Sequence, residues 1–144
     1  MQPELIVFTG LQASGKSTYY RTHLAATHVH VSKDLMKNAS DAKQRQQIIE
    51  ALRAGKSVAV DNTNPTPAVR APLIELGRAH GARVLAFFFE AVVKDAVARN
   101  RSREGNARVP DVAIYATAKK LVPPTFEEGF DEVRVIAPLP AIAA

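Results

Sequence analysis

Gly10-Leu11-Gln12-Ala13-Ser14-Gly15-Lys16-Ser17 is the stretch that decides the fold of this chain. It fits the pattern G-x-x-x-x-G-K-[ST], a loop that binds phosphate. The residues before it, Leu5-Ile6-Val7-Phe8-Thr9, read as a buried strand, and Gly15–Ala26 reads as a helix. A strand–loop–helix unit is the setting this pattern requires. Gly10 and Gly15 let the backbone come close to phosphate oxygens. Successive N–H groups and the positive end of the helix then face the anion. Gly10, Ala13, Ser14, Gly15, Lys16, Ser17 and Thr18 are therefore the expected nucleotide-binding residues of the loop. Lys16 would reach the β- and γ-phosphates of ATP, and the Ser17 hydroxyl would ligate Mg²⁺.

Composition narrows the class further. At 144 residues the chain has single-domain length, and its 47% apolar content suits a packed core. It has no cysteine, which excludes disulfides and cysteine-based zinc sites. No apolar run is long enough to span a bilayer. The N-terminal run is too short for a signal sequence and has no basic lead. A soluble cytoplasmic protein without membrane contact is expected. The net charge of +5 favours a polyanionic partner without naming one, simple solubility being the alternative. An aromatic content of 6%, with no tryptophan, argues against an extensive base-stacking platform.

Apolar runs alternate with helical patterns along the chain. Strands are expected near Leu5–Thr9, Val29–Ser32, Ser57–Asp61, Val84–Glu90 and Glu132–Ile136. Helices are expected near Gly15–Ala26, Lys33–Ala54, Pro67–His80, Val92–Arg101 and Asp111–Leu121. Val58-Ala59-Val60 and Val84–Phe89 are nearly continuous apolar runs, as in strands covered on both faces. Gly55 and Gly81 stand where helices would end. The pattern implies an α/β, three-layer P-loop NTPase fold: a parallel five-stranded sheet with helices on both faces. Residues 1–136 would form the domain, and the Pro/Ala-rich residues 137–144 a loose tail.

In such a sheet the loops after the strands converge on the phosphate site. Ser32-Lys33-Asp34 follows the second strand, with Lys37 one turn on. Asp34 could accept the proton of an attacking hydroxyl, or Ser32 or Asp34 could cap the next helix. Lys33 and Lys37 are either acceptor-phosphate ligands or solvated helix residues. Asp61-Asn62-Thr63-Asn64-Pro65 follows the third strand, and an apolar run ending in Asp beside the P-loop strand suits a metal-orienting carboxylate. An Asx-turn would use the same residues. After the fourth strand come Arg99, Arg101 and Arg103, with Arg99 and Arg103 expected on one helix face. They read as a lid over the nucleotide or as a basic helix end favoured by the dipole. His23, His28, His30 and His80 show no metal-ligand spacing. Tyr19, Tyr20 and Tyr115 read as packing or surface residues, and Phe126 and Phe130 as anchors for the last strand.

Taken together these segments carry a resemblance. The P-loop, Ser32-Lys33-Asp34, Asp61-Asn62-Thr63-Asn64-Pro65, Ala98-Arg99-Asn100-Arg101-Ser102-Arg103, Val109-Pro110 and Pro123-Pro124-Thr125-Phe126-Glu127-Glu128-Gly129-Phe130 succeed one another in the chain. From about Leu5 to Ile136 the sequence closely resembles the kinase domain of polynucleotide 5′-hydroxyl kinases of the phage and animal end-repair type. The resemblance implies transfer of the ATP γ-phosphate to a 5′-hydroxyl end of DNA or RNA. It implies Asp34 as general base, Arg99 and Arg103 as lid arginines, and Lys16 and Ser17 as the P-loop lysine and hydroxyl, beside the Asp61 that the strand end alone suggests for Mg²⁺. Acceptor-phosphate contacts would fall near Lys33 and Lys37. The family often has Asn-Arg-Asp where this chain has Ser32-Lys33-Asp34, and lysine lacks arginine's forked contact. No Asp-x-Asp-x-Thr signature is present, so no 3′-phosphatase activity is expected. Two other readings stay open: a P-loop kinase for a small-molecule hydroxyl, such as a nucleoside, sugar or antibiotic, and a nucleotide-binding module without efficient transfer.

Overall fold

A computed structural model describes residues 2–139. β1 (Glu4–Gly10) leads through the loop into α1 (Lys16–Tyr19), which widens into a π-helical stretch (Tyr20–Leu24). β2 (His28–Val31) is followed by one 3-10 turn (Lys33–Leu35) and then α2 (Asp41–Arg53). β3 (Ser57–Val60), α3 (Pro67–Ala79) and β4 (Arg83–Phe89) continue the alternation. α4 (Val93–Arg101), α5 (Asp111–Lys120) and β5 (Glu132–Ile136) follow. Every strand pairing is parallel, in the order β2-β3-β1-β4-β5. β1 therefore lies at the centre of the sheet, and β3 and β4 flank the loop that leaves it.

Side chains alternate across a strand, and that alternation builds the layers. Leu5 and Val7 join a core with Ile48 and Leu52 of α2 and Leu73 and Ile74 of α3. Ile6 and Phe8 join the opposite core, with Tyr20 and Leu24 after α1 and Phe87 and Phe89 of β4. Leu5, Val7 and Phe8 are wholly buried. Burying side chains of this size contributes roughly 1.5–3 kcal/mol each. Leu11 of the loop packs with Ala96, Val97 and Ile114, which seats the α4–α5 pair against the loop itself. The parallel sheet with helices on both faces is thus the observed architecture.

Helix ends follow local chemistry. Ser40 accepts a hydrogen bond from the Lys43 N–H to start α2, and Thr66 accepts from Val69 N–H with Pro67 in the first turn of α3. Such caps contribute about 1 kcal/mol. Gly55 and Gly81, with φ of +75° and +71°, turn the chain out of α2 and α3.

Three expectations need correction. Lys33–Ala54 is not one helix. Ser32 caps only the short turn, Met36 is extended, and Asn38 takes a φ of +53° before Ser40 begins α2. Arg103 does not share a helix face with Arg99, because α4 ends at Arg101. Of the two phenylalanines, Phe130 is buried in the core but Phe126 is 66% exposed. The expected tail lies in part, residues 140–144, outside the described residues.

Candidate active site

The loop after β1 is held by its own geometry and by its neighbours. The Gly10 N–H donates to Thr63 O at 3.1 Å, hanging the loop on the segment after β3. A Cβ at Gly10 would stand 3.0 Å from both Phe89 Cβ and Ser14 Oγ. Any larger residue there would force Phe89 or Ser14 to give way. Ala13 takes a left-handed φ of +60°, a conformation disfavoured by about 1–2 kcal/mol for a residue with a Cβ. Its carbonyl accepts a hydrogen bond from Arg99 Nε at 2.8 Å, which helps hold it. Gln12 Nε2 donates to Thr117 Oγ1 at 3.1 Å, so α4 and α5 each grip the loop once.

Lys16 is buried, and its Nζ donates to Gly10 O at 3.1 Å and Leu11 O at 2.7 Å. Burial pushes its ammonium down to about 8, helped by the Arg103 charge and opposed by Asp61 and Asp34. Those influences mean that the segment after α4 and the turn after β2 both lie within electrostatic reach of the loop. Ser17 Oγ donates to Asp61 Oδ2 at 2.7 Å, and His30 Nε2 meets the same oxygen at 2.8 Å. Burial raises the Asp61 carboxyl, but the hydrogen bonds from His30 and Ser17 and the Lys16 charge outweigh it. The carboxyl lies below its ordinary value.

A single open cleft of about 1130 Å³ runs over these groups. One arm of its lining is the loop, Gln12 to Thr18, with Asp61 and Arg103. The other arm lies beyond Lys33 and Asp34, between Asp41, Gln44 and Arg45 of α2 and Ala68, Val69 and Pro72 of α3. Asn62 ties the two arms together: its Nδ2 donates to Gln44 Oε1 at 2.6 Å, and its Oδ1 accepts from Lys33 N–H at 3.0 Å.

The residues singled out from sequence fall into two groups. Ala13, Ser14, Gly15, Lys16, Ser17, Thr18, Lys33, Asp34, Asp61 and Arg103 line the cleft. Gly10 supports it from beneath. Arg99 grips the loop backbone rather than lining the cleft, while Arg103 bonds within its own segment, to Ala107 O at 3.2 Å. Lys33 Nζ is paired with Asp41. Lys37 lies outside this cleft, its carbonyl accepting from Lys43 Nζ at 2.6 Å.

Sequence reasoning missed four participants. His30 and Gln44 carried no local signal, since their partners are 31 and 18 residues away. Arg45 was lost in a segment read as plain helix. Arg70 is wholly buried in α3, where it donates to Glu128 through Nε at 2.8 Å and NH2 at 3.0 Å, and through NH1 to Asn64 O at 2.9 Å and Val122 O at 3.0 Å. It clamps the segment that carries Asp61 to the Thr125–Gly129 turn.

Ser17, in the helix that follows the loop after β1, meets Asp61 at the end of the adjacent parallel strand β3, and that juxtaposition places the fold among P-loop nucleotide-binding domains. The family model described as an AAA domain matches residues 5–124, and the chain belongs to that family. A Schizosaccharomyces pombe protein named bifunctional polynucleotide phosphatase/kinase is 29% identical over 137 residues, which is 92% of this chain and 33% of that protein. The chain spans about a third of the length of the curated relatives it matches. Among solved structures, a fungal RNA kinase superposes with a TM-score of 0.73 at 16% identity, over 94% of this chain and 38% of that one. A gluconokinase from Sinorhizobium meliloti 1021 superposes with a TM-score of 0.64 at 18% identity, over 94% of this chain and 82% of that one. Both structural likenesses speak to the fold alone. No helix among the described residues is long and apolar enough to cross a membrane.

Proposed function

We propose that this domain is a kinase that transfers the γ-phosphate of ATP to a 5′-hydroxyl end of DNA or RNA. The observation that carries the reading is one open cleft lined both by the P-loop and by Asp34, and continuing to residues of α2 and α3 that belong to neither. A phosphoryl-transfer site needs a donor cradle, charge neutralisation and one base facing the acceptor. Asp34 takes the hydroxyl proton as that oxygen attacks the γ-phosphorus and the bond to the β-phosphate oxygen breaks, releasing ADP. Lys16 neutralises the phosphates, and Arg103 stabilises the charge that develops on the transferring group. The buried Ser14 hydroxyl has no hydrogen-bond partner among the described residues, which suits a loop that takes anionic oxygens.

The donor set also suits Mg²⁺, a hard cation that takes oxygen ligands. Ser17 Oγ gives its proton to Asp61, so its lone pairs stay available. Bound there with the nucleotide, Mg²⁺ would neutralise phosphate charge, held by Ser17 and oriented by Asp61.

Three points support a polynucleotide acceptor. The S. pombe relative is named for polynucleotide kinase activity, the net charge is +5, and Arg45 lines the acceptor arm without an ion pair among the described residues. With Lys33 paired to Asp41 and Lys37 outside the cleft, Arg45 is the cation that suits an acceptor phosphate. A small-molecule acceptor is the second reading. It is favoured by the apolar wall of Ala68, Val69 and Pro72 and by the fold shared with a gluconokinase. Transfer of label from γ-labelled ATP to 5′-hydroxyl DNA, 5′-hydroxyl RNA, 3′-nucleoside monophosphates, free nucleosides and gluconate tests both. Label on oligonucleotides, lost by about 10²–10⁴-fold in Asp34→Ala with ATP binding retained, is the expected result. Label on free nucleosides or gluconate alone would replace this reading with the second.

A further inference from the structure

His30 lies on β2, the edge strand next to β3, and its register partner is Ala59, two residues before Asp61. Its Nε2 meets Asp61 Oδ2 at 2.8 Å, the same oxygen that accepts the Ser17 hydroxyl at 2.7 Å. The imidazole lies flat on the Tyr20 ring, with centroids 3.9 Å apart and planes 14° from parallel. Tyr20 is itself fixed, since its hydroxyl donates to His28 O at 2.5 Å and its ring is buried in the core. The stack therefore sets the plane of the His30 ring, and in that plane Nε2 reaches a single carboxylate oxygen.

Two donors on Oδ2 fix the rotation of the carboxyl. Oδ1 accepts no hydrogen bond among the described residues, and Asp61 lines the cleft beside Ser17 and the P-loop. An outer residue that orients a metal-binding group acts through that group's direction and charge distribution.

We propose that His30 is a positioning residue for the divalent cation that accompanies the nucleotide. It locks Asp61 so that Oδ2 holds Ser17 and Oδ1 faces the metal. The proposal rests on the reading of the cleft as a Mg²⁺–nucleotide site, and it is independent of which acceptor is used. No element of the P-loop pattern requires a histidine here, so the assignment comes from the contact geometry of β2, β3 and the helix after the loop.

The test compares His30→Gln, whose amide nitrogen reaches as far as Nε2, with His30→Asn, which is too short, and with His30→Phe, which keeps the stack on Tyr20 but has no donor. A fluorescent ATP analogue reports nucleotide affinity with and without Mg²⁺, alongside turnover as a function of Mg²⁺ concentration and thermal melting without ligand. The Mg²⁺-dependent gain in affinity should fall by about tenfold or more in His30→Asn and His30→Phe. His30→Gln should remain close to the parent, and metal-free nucleotide binding should be unchanged in all three. Parent-like Mg²⁺ dependence in the Asn or Phe variant would overturn the proposal while leaving the nucleotide reading intact. An equal loss of metal-free binding would also overturn it, because His30 would then be only structural. A parent protein whose nucleotide affinity gains nothing from Mg²⁺ would remove the underlying reading as well.

Discussion

Removing the carboxylate of Glu128 should unsettle the domain far more than its place in a surface turn suggests. Arg70, its partner, is wholly buried, and two of the four hydrogen bonds of its guanidinium go to Glu128. In Glu128→Ala the guanidinium keeps Asn64 O and Val122 O but loses its counter-charge in a site closed to water. Breaking a buried pair from one side is destabilising by about 3–5 kcal/mol. The Thr125 N–H, which donates to Glu128 Oε2 at 2.8 Å, also loses its partner. A domain of this size has a total stability on the order of 5–15 kcal/mol. The variant should therefore lose roughly a fifth or more of its stability, and its melting temperature should fall by roughly 10–20 °C. Urea unfolding followed by circular dichroism measures the difference directly. The pH dependence supplies a second arm. Burial raises the Glu128 carboxyl, but hydrogen bonds from Arg70 and Thr125 and the Arg70 charge outweigh it and hold it below its ordinary value. A carboxyl depressed in the folded state contributes fully above its unfolded value and loses that contribution as pH falls through the folded one. The gap between parent and variant should be constant near neutrality and close below about pH 4.5. A loss under about 1 kcal/mol at pH 7 would refute the reasoning, since it would mean that the guanidinium reaches water or another anion.

Two further outcomes follow from the loop and the core. Lys16, held down to about 8 by burial, must be charged to meet phosphate. In metal-free buffer, ADP affinity should fall about tenfold between pH 7 and pH 9 as the free protein gives up that proton, and a flat calorimetric profile would show that Lys16 is already charged throughout. At Gly77 of α3, a Cβ would stand 2.7 Å from Val84 Cγ2 and 2.9 Å from Leu5 Cδ2. Gly77→Ala should overpack the helix–sheet contact by about 1–3 kcal/mol in urea unfolding, and an unchanged midpoint would mean that α3 can lift away freely.

What the sequence disclosed was mostly local. The strands were legible because a strand covered on both faces is an unbroken apolar run, as in Val58-Ala59-Val60. The P-loop was legible because its glycines and lysine are contiguous. The break between Lys33 and Ser40 was harder, since Leu35 and Met36 sit at spacings that a helix would also use. The signal that decides it is Asn38 in a left-handed conformation two residues before a capping serine. Asp34 and Asp61 were found because topology brings strand ends together whatever the register. His30 and Arg70 were not, because each matters through a partner on another element. A histidine on an edge strand and an arginine in an amphipathic helix look like solvated residues until the packing shows otherwise. The two cations nearest Asp34 in sequence, Lys33 and Lys37, were read together, yet the chain turns between them and only Lys33 lines the cleft.

The cleft's two arms are carried by different pieces of chain, and on the proposed function this separates the donor side from the acceptor side. The donor arm is braced by β1, β3 and the α4–α5 pair through Gly10, Asp61, Arg99 and Gln12. Asp41, Arg45, Val69 and Pro72, which face the other arm, take no part in that bracing. Substitutions there would reshape the acceptor side and leave the phosphate cradle in place. What cannot vary freely is the joint. Asn62 follows Asp61 directly, and its amide spans from Gln44 on α2 to the backbone of Lys33 beside Asp34. On the proposed function, any acceptor arm on this sheet must still present Asp34 to the γ-phosphate. Asn62 is the side chain that joins the segment carrying Asp61 to the turn carrying Asp34 and to α2.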